Sequence, residues 1–230
     1  MATLAGVTVG AARSEEIPTL AGLAARGMRD DPSSLAFYGS DPIRRVARLE
    51  VLYHWVLVSS ASRILVARRR DVPVGVIAIS PPGACFSRQA VEKQREFSFA
   101  GRRISIGVPT VPAALIVPLL RQGPAALSRL SAWAEAGLAH DPDEPHEHLE
   151  LVVVEAALQG LGIGTQMMEV VCRDLDVANH PAYLETDTDA DVRFYTRFGF
   201  TVIGEAELIG IRARYMWRDP SGPNAPTAVD

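Results

Sequence analysis

The sequence predicts an α/β fold built around a mixed β-sheet, and three stretches of the chain carry this prediction. Residues 63–80 have the pattern of two apolar strands joined by a tight turn, which indicates an antiparallel hairpin. Residues 148–186 have a strand–helix–strand pattern with short connections, which implies two parallel strands linked by a right-handed crossover. Residues 201–217 indicate a second hairpin. Antiparallel and parallel pairs in one chain predict a mixed sheet flanked by helices.

The first sixty residues predict one strand and two helices. Residues 6–13 form the strand, and Ser14 is the expected N-cap of a helix that extends to Met28. The Asp-Asp-Pro sequence at 30–32 ends that helix, because proline cannot continue it. Asp41 followed by Pro42 is typical of a helix start, and this helix is expected to continue to about residue 58.

A long segment between two predicted strands, residues 84–147, has no simple periodicity. Strands are expected at 63–69 and 74–80, with the turn at 71–73. Helical spacing then appears at 113–120 and 125–140. A connection of this length usually carries specificity or forms a lid, so we expect an insertion between strands 3 and 4 of the sheet.

The last third of the chain is the most regular part. It predicts the following order of elements: strand 148–155, amphipathic helix 161–177, strand 181–186, short helix 191–198, and strands 201–208 and 211–217 that turn around Ile209-Gly210. We therefore predict one domain over residues 1–219, followed by a disordered tail at 220–230.

Composition excludes several classes of protein. The chain has 230 residues, of which 48% are hydrophobic and 22% charged, and its net charge is −4. An acidic chain has no electrostatic footprint for nucleic acid or anionic membranes. Two cysteines, Cys85 and Cys172, cannot build a disulfide framework. The apolar run 104–120 contains three prolines and is too short to span a bilayer, so we expect a cytoplasmic protein in which this run supports a possible homodimer.

The sharpest local feature is the sequence Gln159-Gly-Leu-Gly-Ile-Gly-Thr165, called the glycine loop below, which lies between a predicted strand and a predicted helix. Glycines let a ligand approach the backbone, and the N–H groups at a helix start attract anions such as phosphate. A P-loop is excluded because the loop has no lysine. A dinucleotide site that uses Glu185 for the ribose, and a coenzyme A site, both stay open on this pattern alone.

Two motifs together resemble the GNAT N-acetyltransferases. The glycine loop fits the family signature Gln/Arg-x-x-Gly-x-Gly/Ala, preceded by a Val-Glu-Ala-Ala-Leu-Gln approach at 154–159. The sequences Leu-Glu-Thr at 184–186 and Phe-Tyr-Thr-Arg-Phe-Gly-Phe at 194–200 resemble the second family motif. The chain end looks most like the puromycin N-acetyltransferase branch, and the strong similarity covers residues 147–217.

The resemblance implies a twisted, mostly antiparallel sheet and acetyl transfer from acetyl-CoA to a small-molecule amine. The backbone of the glycine loop would hold the diphosphate, and the strand before it would pair with the pantetheine arm. A backbone N–H near Val154 would then stabilise the oxyanion. The cofactor-binding residues implied in this way are Val152, Val153, Val154, Gln159, Gly160, Leu161, Gly162, Ile163, Gly164, Thr165, Asp191 and Phe194.

The resemblance also implies the catalytic groups. Tyr195 matches the family tyrosine that lies near the thioester sulfur and protonates the departing thiolate. Many relatives carry asparagine where this chain has Asp191, which leaves the cofactor contact from that position open. Strand periodicity places His146, His148 and Glu150 on one face, and family bases occur at positions matching His148 and Glu150. Either residue can be the base.

The acceptor amine is not encoded in any motif. Phe37 and Tyr38, in the connection between the first two helices, are the expected substrate contacts, together with the 84–147 segment. A metal site on the His-x-His-x-Glu pattern is not expected, because no fourth ligand is evident. A non-catalytic module that binds acetyl-CoA and regulates another process remains the alternative function.

Overall fold

A computed structural model describes residues 6–59, 63–84, 94–99, 102–107, 117–118 and 121–221. Its α-helices with described bounds are α1 (Ile17–Gly27), α2 (Pro32–Tyr38), α3 (Pro42–Ser59), α4 (Pro124–His140), α5 (Ile163–Ala178) and α6 (Asp189–Thr196). The strands in these residues are β1 (Val7–Ala11), β2 (Arg63–Arg69), β3 (Val72–Ser80), β4 (Gln94–Phe99), β5 (Arg102–Gly107), β6 (Glu147–Val154), β7 (Ala182–Thr186), β8 (Thr201–Leu208) and β9 (Ile211–Arg218).

Seven of the strands form one sheet in the order β1-β2-β3-β6-β7-β9-β8. All seven strands predicted from the sequence are present in it. The β6–β7 pair is parallel and is joined through α5, which confirms the crossover, and every other pair is antiparallel. The insertion between β3 and β6 carries α4 and a separate β4–β5 hairpin.

A β-bulge at Glu150 changes which side of the sheet each β6 residue faces. Ile79 and Ala78 of β3 are consecutive, but they pair with Leu149 and Leu151, so Glu150 is the extra residue. Leu149 packs in the core next to α5, whereas Leu151 packs in the opposite core next to α1 and α3. The strict alternation expected over 148–155 therefore breaks at Glu150.

The two faces of the sheet are covered by different helices. Helices α1, α2 and α3 pack on one face over Val66, Val76 and Val153, and the first turn of α4 joins them through Ala126. Helix α5 covers the other face with its apolar side, which includes the fully buried Met167. The residues that come directly after β6 and β7 therefore lie at the edge of the sheet, between α1–α3 on one face and α5 on the other.

The sequence prediction was wrong at the start of the first helix and missed a short helix after it. Ser14 opens a 3-10 turn rather than α1, whose first residue is Ile17, and the backbone N–H of Arg13 donates to Glu16 Oε2 at 2.7 Å. Residues 32–38, expected to be a connection, form the short helix α2, because Asp31 Oδ1 accepts the N–H of Ser33 and caps it. The Asp41 cap of α3 is confirmed by hydrogen bonds from the next turn.

Other corrections concern the insertion and the turns. The β2–β3 turn lies at Arg70 and Asp71, both with positive φ, so β3 begins at Val72. The β4–β5 hairpin was not predicted, whereas the helix expected at 125–140 is confirmed as α4. Most of the helix expected at 113–120 lies outside the described residues, as do residues 222–230 of the tail. In the described part of the chain, no helix has the length and apolar character to cross a membrane.

Candidate functional site

The glycine loop joins β6 to α5 and leaves the start of α5 open. After β6, residues 156–158 form a single 3-10 turn, and the backbone then takes positive φ values of 78° at both Gly160 and Gly162. Gly162 is the N-cap of α5, and no side chain caps that end. The first N–H groups of an α-helix have no partner within the helix, so those of Ile163, Gly164 and Thr165 are oriented to bind an anion.

Two contacts fix the glycine loop against α1. The side-chain amide of Gln159 donates to the carbonyl of Gly27 at 3.0 Å and to that of Val154 at 3.2 Å. Glu155 forms a bidentate ion pair with Arg26, with the closest N–O distance 2.6 Å. The Gln159 side chain thus ties the end of α1 to the end of β6, and only its backbone remains for the predicted ligand contact.

One edge of β6 is exposed along its second half. Within the described chain, β6 and β7 pair only at Glu147–Ala182 and His148–Tyr183. The Glu155 N–H donates to Val74 O on the β3 side, so strand alternation directs the backbone groups of Val152 and Val154 toward the β7 side. The Val154 carbonyl accepts the Gln159 amide, so the backbone groups of Val152 and the N–H of Val154 form the edge that an extended ligand can pair with.

Helix α6 places an aromatic cluster beside the glycine loop. A Cβ atom on Gly164 would lie 3.4 Å from Phe194 Cζ, so the two helices touch at this point. Phe194 packs edge-on against Tyr195, with ring centroids 5.1 Å apart, and the guanidinium of Arg197 lies 5.0 Å from the centre of the Phe194 ring. Phe194 and Tyr195 pack against the same core cluster as Val152 and Val154 of β6.

The environment of Tyr195 keeps its phenol protonated. Burial is the main cause that raises its pKa well above the usual range, and the carboxylates of Asp191 and Asp31 add to the shift. Asp31, Asp187 and Asp191 bring carboxylate oxygens within 4.8 Å of one another. Burial and the nearby Asp31 also raise the pKa of Asp187, to about 7. The Tyr195 side of the site is therefore strongly negative.

His148 and Glu150 come together next to the bulge of β6. His148 is 2% exposed, and its Nδ1 atom lies 4.0 Å from Glu150 Oε1. The Ser80 hydroxyl donates to Glu150 Oε1 at 2.8 Å. On its other side, His148 Nε2 lies 3.1 Å from Glu185 Oε2. The imidazole thus lies between two carboxylates from neighbouring strands.

A cleft of about 280 Å³ opens beside His148. Its walls are three residues after β3 and the loop before β6: Pro81, Pro82, Gly83, Asp141, Pro142, Asp143, Glu144, Pro145, His146 and His148. Three of these described wall residues are acidic and none is lysine or arginine. The cleft therefore suits a small cation that reaches His148 from this side.

Comparison with known proteins gives the same fold. The model of a family described as "Acetyltransferase (GNAT) domain" matches residues 130–202. A Corynebacterium glutamicum protein described as histone acetyltransferase HPA2 and related acetyltransferase superposes with a TM-score of 0.65 at 18% identity, covering 96% of this chain and 99% of that one. The chain has the GNAT fold.

Two further GNAT-like structures superpose over nearly the whole chain. An agmatine N-acetyltransferase in its apo form gives a TM-score of 0.59 at 14% identity, with 93% of this chain and 99% of that one covered. The yncA protein of Salmonella typhimurium, solved with its cofactor acetyl-CoA, gives 0.51 at 14% identity, with 97% and 99% covered. At these identities the likeness establishes the GNAT fold.

On this GNAT fold, most of the residues predicted for the cofactor lie along one path. Gly164 of the glycine loop lies next to Val154 of β6 and to Phe194 in the last turn of α6. The side chain of Val153 is buried in the core, so only its backbone can serve a ligand. The carboxylate of Asp191 accepts the Thr188 hydroxyl at 2.5 Å and is thereby part of the α6 cap.

The two predicted substrate contacts, Phe37 and Tyr38, do not lie in a loop as expected. They end helix α2, and both are buried. Phe37 packs against Trp133 of α4, with centroids 5.6 Å apart. Their role toward a substrate stays a prediction.

Sequence reasoning missed Ser80, Glu185 and Tyr215 as neighbours of the site. Glu185 was considered only for a ribose, yet its carboxylate faces His148. Tyr215 pairs with Glu185 across β7 and β9, and burial together with that carboxylate raises the pKa of its phenol to about 12. The sequence does not show that β9 pairs with β7, because α6 and β8 come between these strands along the chain.

Proposed function

We propose that the protein is an N-acetyltransferase that moves the acetyl group of acetyl-CoA to the primary amine of a small molecule. The observation that carries the proposal is the position of three features on the sheet. The unpaired edge of β6, the uncapped start of α5 and Tyr195 lie on the same face of the sheet, because Val152, Ile163 and Tyr195 all pack in the core cluster beneath α5. The acetyl-CoA in the yncA structure, which shares the fold, supports the choice of cosubstrate.

The residues present fit the diphosphate of acetyl-CoA. A Cβ atom on Gly160 would meet no atom within 4 Å, so space is open in front of the glycine loop. Backbone N–H groups from Ile163 to Thr165 would hold the phosphates, at roughly 1.5–3 kcal/mol for each bond to a charged oxygen. The backbone of Val152 and Val154 would pair with the pantetheine amides. When bound, acetyl-CoA supplies the activated acetyl group.

The base stands on β6, as the resemblance implies. Glu150 and His148 present acceptor atoms 4.0 Å apart, so a single nitrogen can lie within hydrogen-bonding distance of both. The amine loses its proton to one of these groups as its nitrogen bonds to the acetyl carbon. A β6 backbone N–H near Val154 would stabilise the resulting oxyanion.

Tyr195 is the general acid in this proposal. Its raised pKa keeps the phenol protonated at neutral pH, which is the form that can donate. The carbon–sulfur bond breaks as the phenol proton passes to the sulfur. Tyr195 and the β6 base then regain their starting protonation states from solvent, and the net reaction yields the amide and free coenzyme A.

The cleft beside His148 favours a cationic acceptor. Asp143 and Glu144 line it, so an acceptor with a second positive group would gain an ion pair there. Agmatine, the acceptor named for one of the structural neighbours, is an amine of this kind. The similarity of 194–208 to the puromycin N-acetyltransferase branch adds aminonucleosides to the compounds worth testing.

A regulatory module that binds acetyl-CoA without turnover is the second candidate. Its support is the use of the Asp191 side chain in the α6 cap, where relatives often carry asparagine. This candidate predicts acetyl-CoA binding and no amide product. Homodimer formation stays a prediction, since the run 104–120 lies largely outside the described residues.

The proposal is tested by thiol release from acetyl-CoA with a panel of amines. The panel contains putrescine, agmatine, spermidine, tyramine and puromycin. We expect thiol release with at least one amine and a fall of roughly a hundredfold in kcat for Glu150→Gln combined with His148→Asn. The matched control is Glu205→Gln on β8, whose carboxylate pairs with the exposed Arg212. Acetyl-CoA binding without turnover on any amine would select the regulatory module instead.

A further inference from the structure

Glu185 stands beside the proposed base without having been assigned a role. It lies on β7, two residues beyond Tyr183, and the parallel pairing of Tyr183 with His148 puts both side chains on the same face. Its side chain is 16% exposed, and Oε2 lies 3.1 Å from His148 Nε2. A partly buried carboxylate in this position can accept a hydrogen bond from the imidazole ring next to it.

The contact fixes which nitrogen of His148 carries the hydrogen. An ionised carboxylate only accepts hydrogen bonds, so Nε2 must donate to Glu185. In the neutral imidazole the lone pair is then on Nδ1, the atom that faces Glu150. Tyr183 packs edge-on against the same ring, with centroids 5.0 Å apart, and so fixes its plane.

We propose that Glu185 is a positioning residue of the acetyl transfer: it holds Nε2–H of His148, so that Nδ1 takes the proton which the amine releases. The inference rests on the proposed function. The amine nitrogen bonds to the acetyl carbon, its proton moves to His148 Nδ1, and the sulfur leaves with the Tyr195 proton. Glu185 stabilises the imidazolium that forms and is not itself protonated, and Glu150 holds the amine through a hydrogen bond.

The surroundings of His148 allow this arrangement to work. Besides Glu150 and Glu185, Asp141, Asp143 and Glu144 line the same cleft as His148. The His146 and Tyr183 rings lie beside the His148 ring, and Tyr215 stacks on Tyr183. None of these described side chains is a lysine or arginine. Negative groups on several sides favour the charged imidazole as the proton arrives.

The first test follows the ring itself and needs no substrate. Protein labelled with ¹⁵N-histidine gives two-bond ¹H–¹⁵N spectra that distinguish the two tautomers, and His148→Asn identifies the signal. We expect the Nε2–H form in the wild type, and we expect His148 to titrate at lower pH in Glu185→Gln. An Nδ1–H form in the wild type, or an unchanged titration in Glu185→Gln, overturns the inference.

The second test follows turnover with the best acceptor of the amine panel. We expect kcat in Glu185→Gln to fall roughly tenfold or more, with the acidic limb of its pH profile displaced to lower pH. Glu185→Asp should restore the limb, and Glu205→Gln should leave the profile unchanged. Wild-type turnover that is insensitive to Glu185→Gln overturns the inference alone, whereas absence of wild-type turnover overturns it together with the proposed function.

Discussion

At the scale of single residues, the phenol of Tyr195 has the two properties that a general acid needs. It packs against Phe194 in the same core cluster as Val152 of β6, and its pKa is raised by burial and by neighbouring carboxylates. Replacing only the hydroxyl therefore removes proton donation and leaves the packing of the ring. The residues proposed to hold the diphosphate are on a different helix and should not be affected.

We expect Tyr195→Phe to lower kcat roughly a hundredfold without weakening acetyl-CoA binding, because the lost group acts on the leaving thiolate. Steady-state thiol release and calorimetry measure the two quantities. Tyr53→Phe is the matched control, since it removes a buried hydroxyl from α3 that also lies near Asp31 but has no part in the proposed proton transfer. Equal losses of kcat in both variants would show that Tyr195 has no special part.

The carboxylate of Asp187 affects stability rather than chemistry. Its pKa is raised to about 7 by burial and by Asp31, so the folded protein holds a proton that the unfolded chain releases near pH 4. This tighter proton binding stabilises the folded protein. The stabilisation is fully present below the pKa of Asp187 in the unfolded chain and is lost as the pH rises toward 7. The cluster is partly exposed, which reduces the effect below the full value of about 1.4 kcal/mol per pKa unit.

We expect Asp187→Asn to raise the melting temperature at pH 8 and to change it little near pH 4. The amide oxygen can still accept the Ser33 N–H, which Asp187 accepts at 2.9 Å in the wild type. Thermal unfolding of both proteins across this pH range measures the difference. A gain that is the same at every pH would mean that ionisation of Asp187 is not its cause.

At the scale of elements, the close approach of α1 to β6 sets the position of the glycine loop. A Cβ atom on Gly27 would lie 2.6 Å from Val154 O and 2.7 Å from Val153 Cγ1, and backbone atoms cannot move aside cheaply. The same junction carries the Gln159 bridge. A displacement of α1 at this contact would therefore change the positions of both the exposed edge of β6 and the glycine loop.

We expect Gly27→Ala to lower the free energy of unfolding by about 1–3 kcal/mol and to weaken acetyl-CoA binding as well. Gly22→Ala on the same helix is the control. Its Cβ would lie 3.4 Å from the flexible end of Arg26, so it should be neutral or slightly stabilising. Urea unfolding and calorimetry provide the measurements, and identical behaviour of the two variants would contradict the role of this junction.

Some elements could not be foreseen from the sequence for clear physical reasons. The residues that follow the bulge at Glu150, Leu151 to Val154, are apolar on both faces of the sheet. The change in alternation is therefore not visible in the sequence. Helix α2 has seven residues, too few to show a helical period, and its Pro32 suggested a break where it is the first helical residue. The β2–β3 and β8–β9 hairpins and the crossover were predicted because their patterns are local.

At the scale of the whole molecule, the sheet brings three distant stretches of sequence to one face. The parallel pairing of β6 and β7 stops after two residue pairs, and Val152, Ile163 and Tyr195 pack in the same core cluster beneath α5. The motifs predict which residues hold the cofactor, but the partners of His148 depend on strand pairing. That is why Glu150 and His148 were predicted while Glu185 was not.

The net result is an electrostatic division of the site. The glycine loop offers uncapped backbone N–H groups, which suit a diphosphate. The cleft beside His148 is lined by acidic residues, which suits a cationic amine. A cosubstrate and an acceptor of opposite charge would therefore approach from different sides.

Titration calorimetry with acetyl-CoA tests the central claim most directly, using the wild type, Leu161→Glu and the neutral control Leu161→Gln. Leu161 lies in the exposed part of the glycine loop, so its replacement does not disturb the core. We predict one molecule bound per chain at roughly micromolar affinity. Binding should be at least roughly fivefold weaker for Leu161→Glu, with little change for Leu161→Gln. Absence of binding by the wild type, or equal affinity of all three proteins, would contradict the account.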